Sequence, residues 1–224
     1  MHALWHRQDE IILAFHTAAA IPSIAPGADV SISAATPDDH AATPEGLPPD
    51  ASRRLFAERL LRGHVCFLAR VGGEVVHYTW LGFGPWKFPD IGVEIPLSGA
   101  EAYLYDGYTM PRWRGRKIYP ATAAVLLHHA QERGIRHVFA RVARRNPAGI
   151  AGLERVGFRG TLGVTSMRLF GVLGIYRAWG DANLEDGVGL LVSRRARMRP
   201  GLLVWNGRGR SGFRLNLPAV GAHP

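Results

Sequence analysis

The residues best equipped for chemistry sit in one run, Tyr108-Thr109-Met110-Pro111-Arg112-Trp113-Arg114-Gly115-Arg116-Lys117-Ile118-Tyr119-Pro120. A strand-like stretch enters a short basic loop, and the loop opens directly into a helical pattern. The first turn of a helix leaves backbone N–H groups unpaired at the positive end of its dipole. Gly115 lets the loop backbone approach a ligand closely. Arg112, Arg114, Arg116 and Lys117 surround that turn with full charges, so the segment suits a phosphate or pyrophosphate. The plainer alternative is a solvated basic turn, since any α/β domain can join a strand to a helix this way. The phosphate loop Gly-x-x-x-x-Gly-Lys-Ser/Thr is absent, and so is the three-glycine dinucleotide fingerprint.

A second run lies downstream, Asn146-Pro147-Ala148-Gly149-Ile150-Ala151-Gly152-Leu153-Glu154-Arg155-Val156-Gly157-Phe158. With Pro111, Arg114 and Gly115 as a Pro-x-x-Arg-Gly approach, and this run as an Asn, short helix, Gly-Phe signature, the chain resembles the GNAT superfamily of acyl-coenzyme A-dependent N-acyltransferases over roughly residues 29–170. The resemblance implies an α/β (α+β) fold with a central mixed β-sheet and helices on both faces. It implies transfer of an acyl group, acetyl or longer, from acyl-CoA to a primary amine by direct attack, with acetyl-CoA or another acyl-CoA as donor and no metal. By resemblance, Tyr108, Thr109 and Met110 lie on the strand whose backbone pairs with the pantetheine arm. Arg112 and the loop of Arg114, Gly115, Arg116, Lys117, Ile118 and Tyr119 hold the pyrophosphate, and Asn146 and Gly149 lie near the pantetheine. A backbone N–H in the gap between two splayed strands would stabilise the developing oxyanion.

The chain departs from the family at three positions. Lys117 and Tyr119 stand where two small residues are usual, and Leu153 stands where many members carry a tyrosine that protonates the leaving thiolate. Leucine cannot donate a proton, so water or another group must. For the base, Asp106 lies on the candidate strand three residues before Thr109; it either accepts the amine's proton or pairs with a nearby arginine. Glu94 and Glu101 are competing carboxylates. Tyr105 and Tyr108 either hydrogen-bond in the site or pack as strand aromatics. His64 and His77, on a hairpin, either face the cleft or are structural, and His128-His129 lack metal-ligand spacing. Cys66 sits in an apolar strand and reads as a small buried hydrophobe.

These groups need a frame, and the periodicity supplies one. A helix is expected around Leu4 to Phe15, a strand over 30–34, a helix start at Thr36-Pro37-Asp38-Asp39 and a helix over 50–62. Val65 to Val71 and Val75 to Leu81 alternate on either side of Gly72-Gly73, which marks a hairpin. Residues 83–99 read as a loop over or beside the site, with Phe83, Trp86, Phe88, Ile91 and Ile95 either on the acceptor side or accommodating an acyl chain longer than acetyl. A strand over 103–110, a helix over 118–133 stopped by Gly134, a strand over 137–142, a helix over 148–156 and strands within 158–170 follow. Leu202 to Trp205 and Phe213 to Leu217 suggest another hairpin. Three segments result: an N-terminal extension (1–28), the acyl-CoA-binding domain (29–170) and a basic C-terminal extension (171–224) packed on it.

A chain of 224 residues, 47% hydrophobic, suits one globular domain. Its single cysteine excludes a disulfide framework, and no apolar run is long enough to span a bilayer. The expected location is the cytoplasm. The formal net charge of +9 favours polyanionic partners. A competing reading is therefore a non-catalytic protein that binds acyl-CoA without turning it over, or binds a polyanion using Arg194, Arg195, Arg197, Arg199, Arg208, Arg210 and Arg214, with Trp205 and Phe213 to stack on bases. No nucleic-acid-binding signature accompanies them, so nucleic acid is disfavoured as a partner. The expected partners are acyl-CoA and an amine-bearing acceptor; a homodimer is left open.

Overall fold

The computed structural model describes residues 5–42, 53–88, 93–169, 173–179, 197–198, 202–206 and 213–215, with side chains over 7–39, 55–88 and 94–166. In chain order the elements are β1 (Trp5–His16), β2 (Ser31–Ala34), a 3-10 turn (Pro37–Ala42), α1 (Arg53–Leu61), β3 (Val65–Val71), β4 (Glu74–Gly82), β5 (Trp86–Phe88), β6 (Val93–Ile95) and β7 (Glu101–Thr109). A second 3-10 turn (Pro111–Trp113) leads to α2 (Ile118–Glu132), β8 (His137–Ala143), α3 (Pro147–Val156), β9 (Arg159–Leu169), β10 (Leu173–Trp179), β11 (Arg197–Met198), β12 (Leu202–Asn206) and β13 (Phe213–Leu215). The main sheet runs β13-β12-β10-β9-β1-β8-β7-β4-β3-β2. It is mixed: β7 with β8 and β10 with β12 are parallel, and the other pairs are antiparallel. No helix among the described residues is long and apolar enough to cross a membrane.

Side chains alternate across the sheet, so each strand feeds two layers. On one face Leu81, Leu104 and Ala140 pack with Leu126 and Leu127 of α2 and with Leu153 and Val156 of α3. On the other, Cys66, Leu68, Tyr78 and Trp80 pack with Phe56 and Leu60 of α1. Between β3 and β4 the turn falls at Gly72 (φ +57°) and Gly73 (φ +86°), the paired positive angles that a two-residue hairpin turn needs.

Two expectations fail because the burial of a segment depends on partners distant in sequence. The helix expected around Leu4 to Phe15 is not formed over its described residues: Trp5–His16 is a strand between β8 and β9. Leu13 and Phe15 enter the layer under α2 and α3, and Ile12 enters the opposite one. A strand apolar on both faces shows no period of two, which leaves its sequence open to a helical reading. This stretch precedes the GNAT-like span in sequence, yet in space it lies inside the sheet. The loop expected over 83–99 likewise carries two strands, Trp86–Phe88 and Val93–Ile95. β5 and β6 form a small sheet with β11, and Trp86, Phe88 and Ile95 are buried with Tyr103, Phe139 and Leu162. Ile91 lies outside the described residues. The expected helix at Thr36 is only the 3-10 turn, its entry tied by the Thr36 N–H and hydroxyl donating to Asp39 at 2.6 and 3.0 Å.

Candidate active site

A bulge in β7 shapes the site. Trp80 pairs with Tyr105 and Tyr78 with Tyr108, so Asp106 and Gly107 together face Thr79 alone. Asp106 adopts the left-handed region (φ +46°) to make the extra step. On its other side β7 pairs with β8 only from Glu101–His137 to Leu104–Ala140. Both strands run on past that point, to Thr109 and Ala143, and α2 starts just beyond.

The gap between them is a cleft of about 760 Å³. It is lined by Tyr105 to Thr109, Trp113 to Pro120, Ala140 to Ala143, Asn146, Gly149, Gly152 and Arg155, among others. Of the residues expected from sequence, Asp106, Tyr108, Thr109, Arg114, Gly115, Arg116, Lys117, Ile118, Tyr119, Asn146 and Gly149 therefore meet there. Met110 and Arg112 do not line it. The Met110 N–H donates to the Val76 carbonyl at 3.0 Å, and Arg112 pairs with Glu74.

The basic loop is held in shape from several sides. Gly115 (φ +77°) and Lys117 (φ +57°) both take positive angles, and Lys117 is the N-cap of α2. The Arg114 Nε donates to the Thr109 carbonyl at 3.1 Å, and its guanidinium lies 5.7 Å from the Tyr108 ring centroid. Arg116 stacks on Trp113 at 4.8 Å, and its carbonyl accepts from the Gly27 N–H at 2.7 Å. Ile118 is buried against Ala69 and Val76, so only its backbone can face a ligand. Pro120 has no N–H. The free donors of the first turn are thus those of Ile118 and Tyr119.

The Tyr119 ring fills the floor of the gap. A Cβ on Gly107 would lie 3.1 Å from the ring, and one on Gly152 would lie 3.0 Å from it. A large residue on α2 thus meets glycines on β7 and α3. Leu153, the next residue of α3, is fully buried in the core. Burial pushes the Tyr119 hydroxyl above the usual phenol range. Beside it His77 is 1% exposed, its Nδ1 2.8 Å from the Thr109 hydroxyl, and its Nε2 has no partner. Burial pushes this imidazole down to about 3, so it is neutral at ordinary pH. Asn146 caps α3, its Oδ1 accepting from the Gly149 N–H at 2.9 Å.

The carboxylates separate clearly. Asp106 is paired with Arg59 at 2.5 Å, the arginine alternative raised from sequence. Glu94 sits 3.8 Å from Lys87, and Glu101 accepts from the Ser98 N–H at 2.7 Å; neither lines the cleft. Cys66 is fully buried, and burial pushes its thiol well up. No group of three metal-ligating side chains occurs among the described residues. Arg155 and Gly152 line the cleft without having been singled out; their place on α3, two residues after and one before Leu153, is the signal that could have marked them.

The model of the acetyltransferase (GNAT) family matches residues 33–158. The chain belongs to the GNAT acetyltransferase family. No curated protein matches. Among solved structures, an N-acetyltransferase from Sphaerobacter thermophilus is 15% identical, with a TM-score of 0.55 over 73% of this chain and 52% of that one. A GNAT-family acetyltransferase from Colwellia psychrerythraea is 15% identical, with a TM-score of 0.52 over 75% and 57%. A tandem GNAT protein from the clavulanic acid pathway is 19% identical, with a TM-score of 0.50 over 73% and 54%. The chain spans a little over half the length of these three structures, and at such identities the likeness shows the fold alone. Arg194, Arg195, Arg199, Arg208 and Arg210 of the basic tail lie outside the described residues.

Proposed function

We propose that this GNAT chain transfers an acyl group from acyl-CoA to a primary amine. One observation carries the reading: β7 and β8 part beyond Leu104, and the gap runs straight to the N-terminus of α2 under a basic loop. A thin amide-bearing arm can pair with the freed edge of β7, while its phosphates meet backbone N–H groups, Arg114 and Lys117. Tyr108, Thr109, Asn146 and Gly149 belong to the arm's path in this reading. Arg116 and the Ile118 and Tyr119 N–H groups belong to the phosphate end. At the bulge the thioester carbonyl meets β7 backbone N–H groups, which offset the charge of the tetrahedral oxyanion. Holding donor and amine together supplies the rest of the rate.

Thermal melting with CoA, acetyl-CoA, longer acyl-CoAs and ATP tests the reading. A ligand at a hundred times its Kd adds about 2.7 kcal/mol, a rise of roughly 5–10 °C for a chain of this size. A rise with acyl-CoA and none with ATP supports the donor and opens an amine screen. No rise with any thioester sinks it.

A further inference from the structure

The geometry points to Tyr105, backed by His64, as the group that takes the acceptor amine's proton, an assignment that rests on the acyl-transfer reading above. β7 leaves β8 after Leu104, so Tyr105 is the first β7 residue in the opened gap, and it lines the cleft. Leu104 points under α2. Alternation sends Tyr105 to the opposite face, against Trp80 and Tyr103. A thioester held from the α2 side presents its carbonyl at this point. An amine reaching it from the face opposite α2 meets Tyr105, which is only partly buried there.

Behind Tyr105 stands a proton acceptor. The Tyr105 hydroxyl lies 2.6 Å from His64 Nδ1. His64 sits half-buried at the entrance to β3, faced by Tyr103, Tyr105, Arg59 and Arg62. Burial and the two arginines hold its pKa below the usual imidazole value, so it is neutral and able to accept near pH 7. Asp106 is differently placed. Its carboxylate is 2.5 Å from Arg59, whose guanidinium lies 4.9 Å from the Tyr105 ring centroid and 5.2 Å from that of Trp80. The pair holds Arg59 against Tyr105 and leaves Asp106 engaged.

The step balances without another reagent. The neutral amine nitrogen attacks the thioester carbon, the C–N bond forms, and the C–S bond breaks to give thiolate. The surplus N–H proton passes to the Tyr105 oxygen as the Tyr105 proton moves to His64 Nδ1, starting from the Nε2–H tautomer. His64 then releases its Nε2 proton to water, and the thiolate takes one proton from water. The neutral ring returns to the Nε2–H tautomer by proton exchange through Tyr105 and water before the next turnover. Tyr105 is the catalytic group; His64 acts through it.

The test compares wild type with Tyr105→Phe, His64→Gln and Asp106→Asn. Acetyl-CoA affinity is measured by calorimetry, and rates are followed from pH 5 to 9 on a diamine, an amino sugar, an amino acid and a lysine peptide. Tyr105→Phe and His64→Gln are expected to keep acetyl-CoA affinity and lose about 10²-fold or more in kcat. The double variant should lose little more, as groups acting as one unit do. The wild-type rate should fall on the acid side as His64 protonates. That limb vanishes in His64→Gln and persists in Asp106→Asn, whatever the latter's rate. A limb retained in His64→Gln, or lost only in Asp106→Asn, overturns the relay. Long-range ¹⁵N spectra of His64 decide independently of any acceptor: the relay requires a neutral ring with its proton on Nε2, and a proton on Nδ1 overturns it. A wild type that does not bind acetyl-CoA overturns the acyl-transfer reading itself, a result distinct from binding with an unaltered limb.

Discussion

Gly152→Ala tests whether Tyr119 is wedged between α3 and β7. In the interior of a helix this change ordinarily stabilises by roughly 1 kcal/mol, because alanine has less backbone entropy to lose. Here the new methyl would lie 3.0 Å from Tyr119 Cδ1 and 3.3 Å from Cε1, about half an ångström inside ordinary carbon contact. The ring cannot retreat freely, since its other edge is 3.1 Å from the Cβ position of Gly107. Overpacking of this kind costs about 1–3 kcal/mol. The two effects leave Gly152→Ala between neutral and roughly 2 kcal/mol less stable. In a Tyr119→Ala background the clash is gone and the same change should stabilise by roughly 1 kcal/mol. The coupling is therefore about 1–3 kcal/mol, well above the error of a double-mutant cycle. Urea unfolding of the four proteins measures it, provided the m-values agree. Equal stabilisation by Gly152→Ala in both backgrounds refutes the wedge.

Other outcomes follow from single groups. His77 is held at about 3 in the fold against an ordinary 6.5, so the unfolded chain binds the extra proton first as pH falls. Its contribution is fully present above about 6.5 and is lost toward 3, with a slope of up to about 1.4 kcal/mol per pH unit; urea midpoints of His77→Gln should show a correspondingly flatter acid side. Cys66, buried with its thiol pushed up, should resist iodoacetamide in the folded chain and react once urea unfolds it; rapid native labelling would contradict the packing. Gly115→Ala puts a side chain at φ +77° in open space. Local strain of about 1–2 kcal/mol should lower the melting temperature by roughly 2–8 °C and weaken acetyl-CoA binding, seen by calorimetry.

Much of the frame was legible in the residues alone, and the reason is local. The β3–β4 hairpin follows from strict alternation around Gly72-Gly73. α2 and α3 follow from a period of 3.6 closed by Gly134 and Gly157, and Asn146 announces the cap of α3 through its own side chain. The basic loop before α2 and the Asn to Gly-Phe run are likewise contiguous, so the family and the cleft's main lining could be inferred without coordinates. What depended on distant partners could not. Only the tertiary structure places β1 between β8 and β9, because a strand buried on both faces loses its alternation. Only packing makes core of Trp86, Phe88 and Ile95 within a glycine- and proline-rich stretch, by burying them with Tyr103 and Phe139. The sequence left Asp106 open between base and ion pair; a contact with Arg59, 47 positions away, decided for the pair. The same holds for Tyr119, whose size departs from the family's small residue until Gly107 and Gly152 are seen on either side of its ring. Spacing along the chain reports what neighbours do, and the choice among alternatives here was made by side chains that meet only after the sheet has closed.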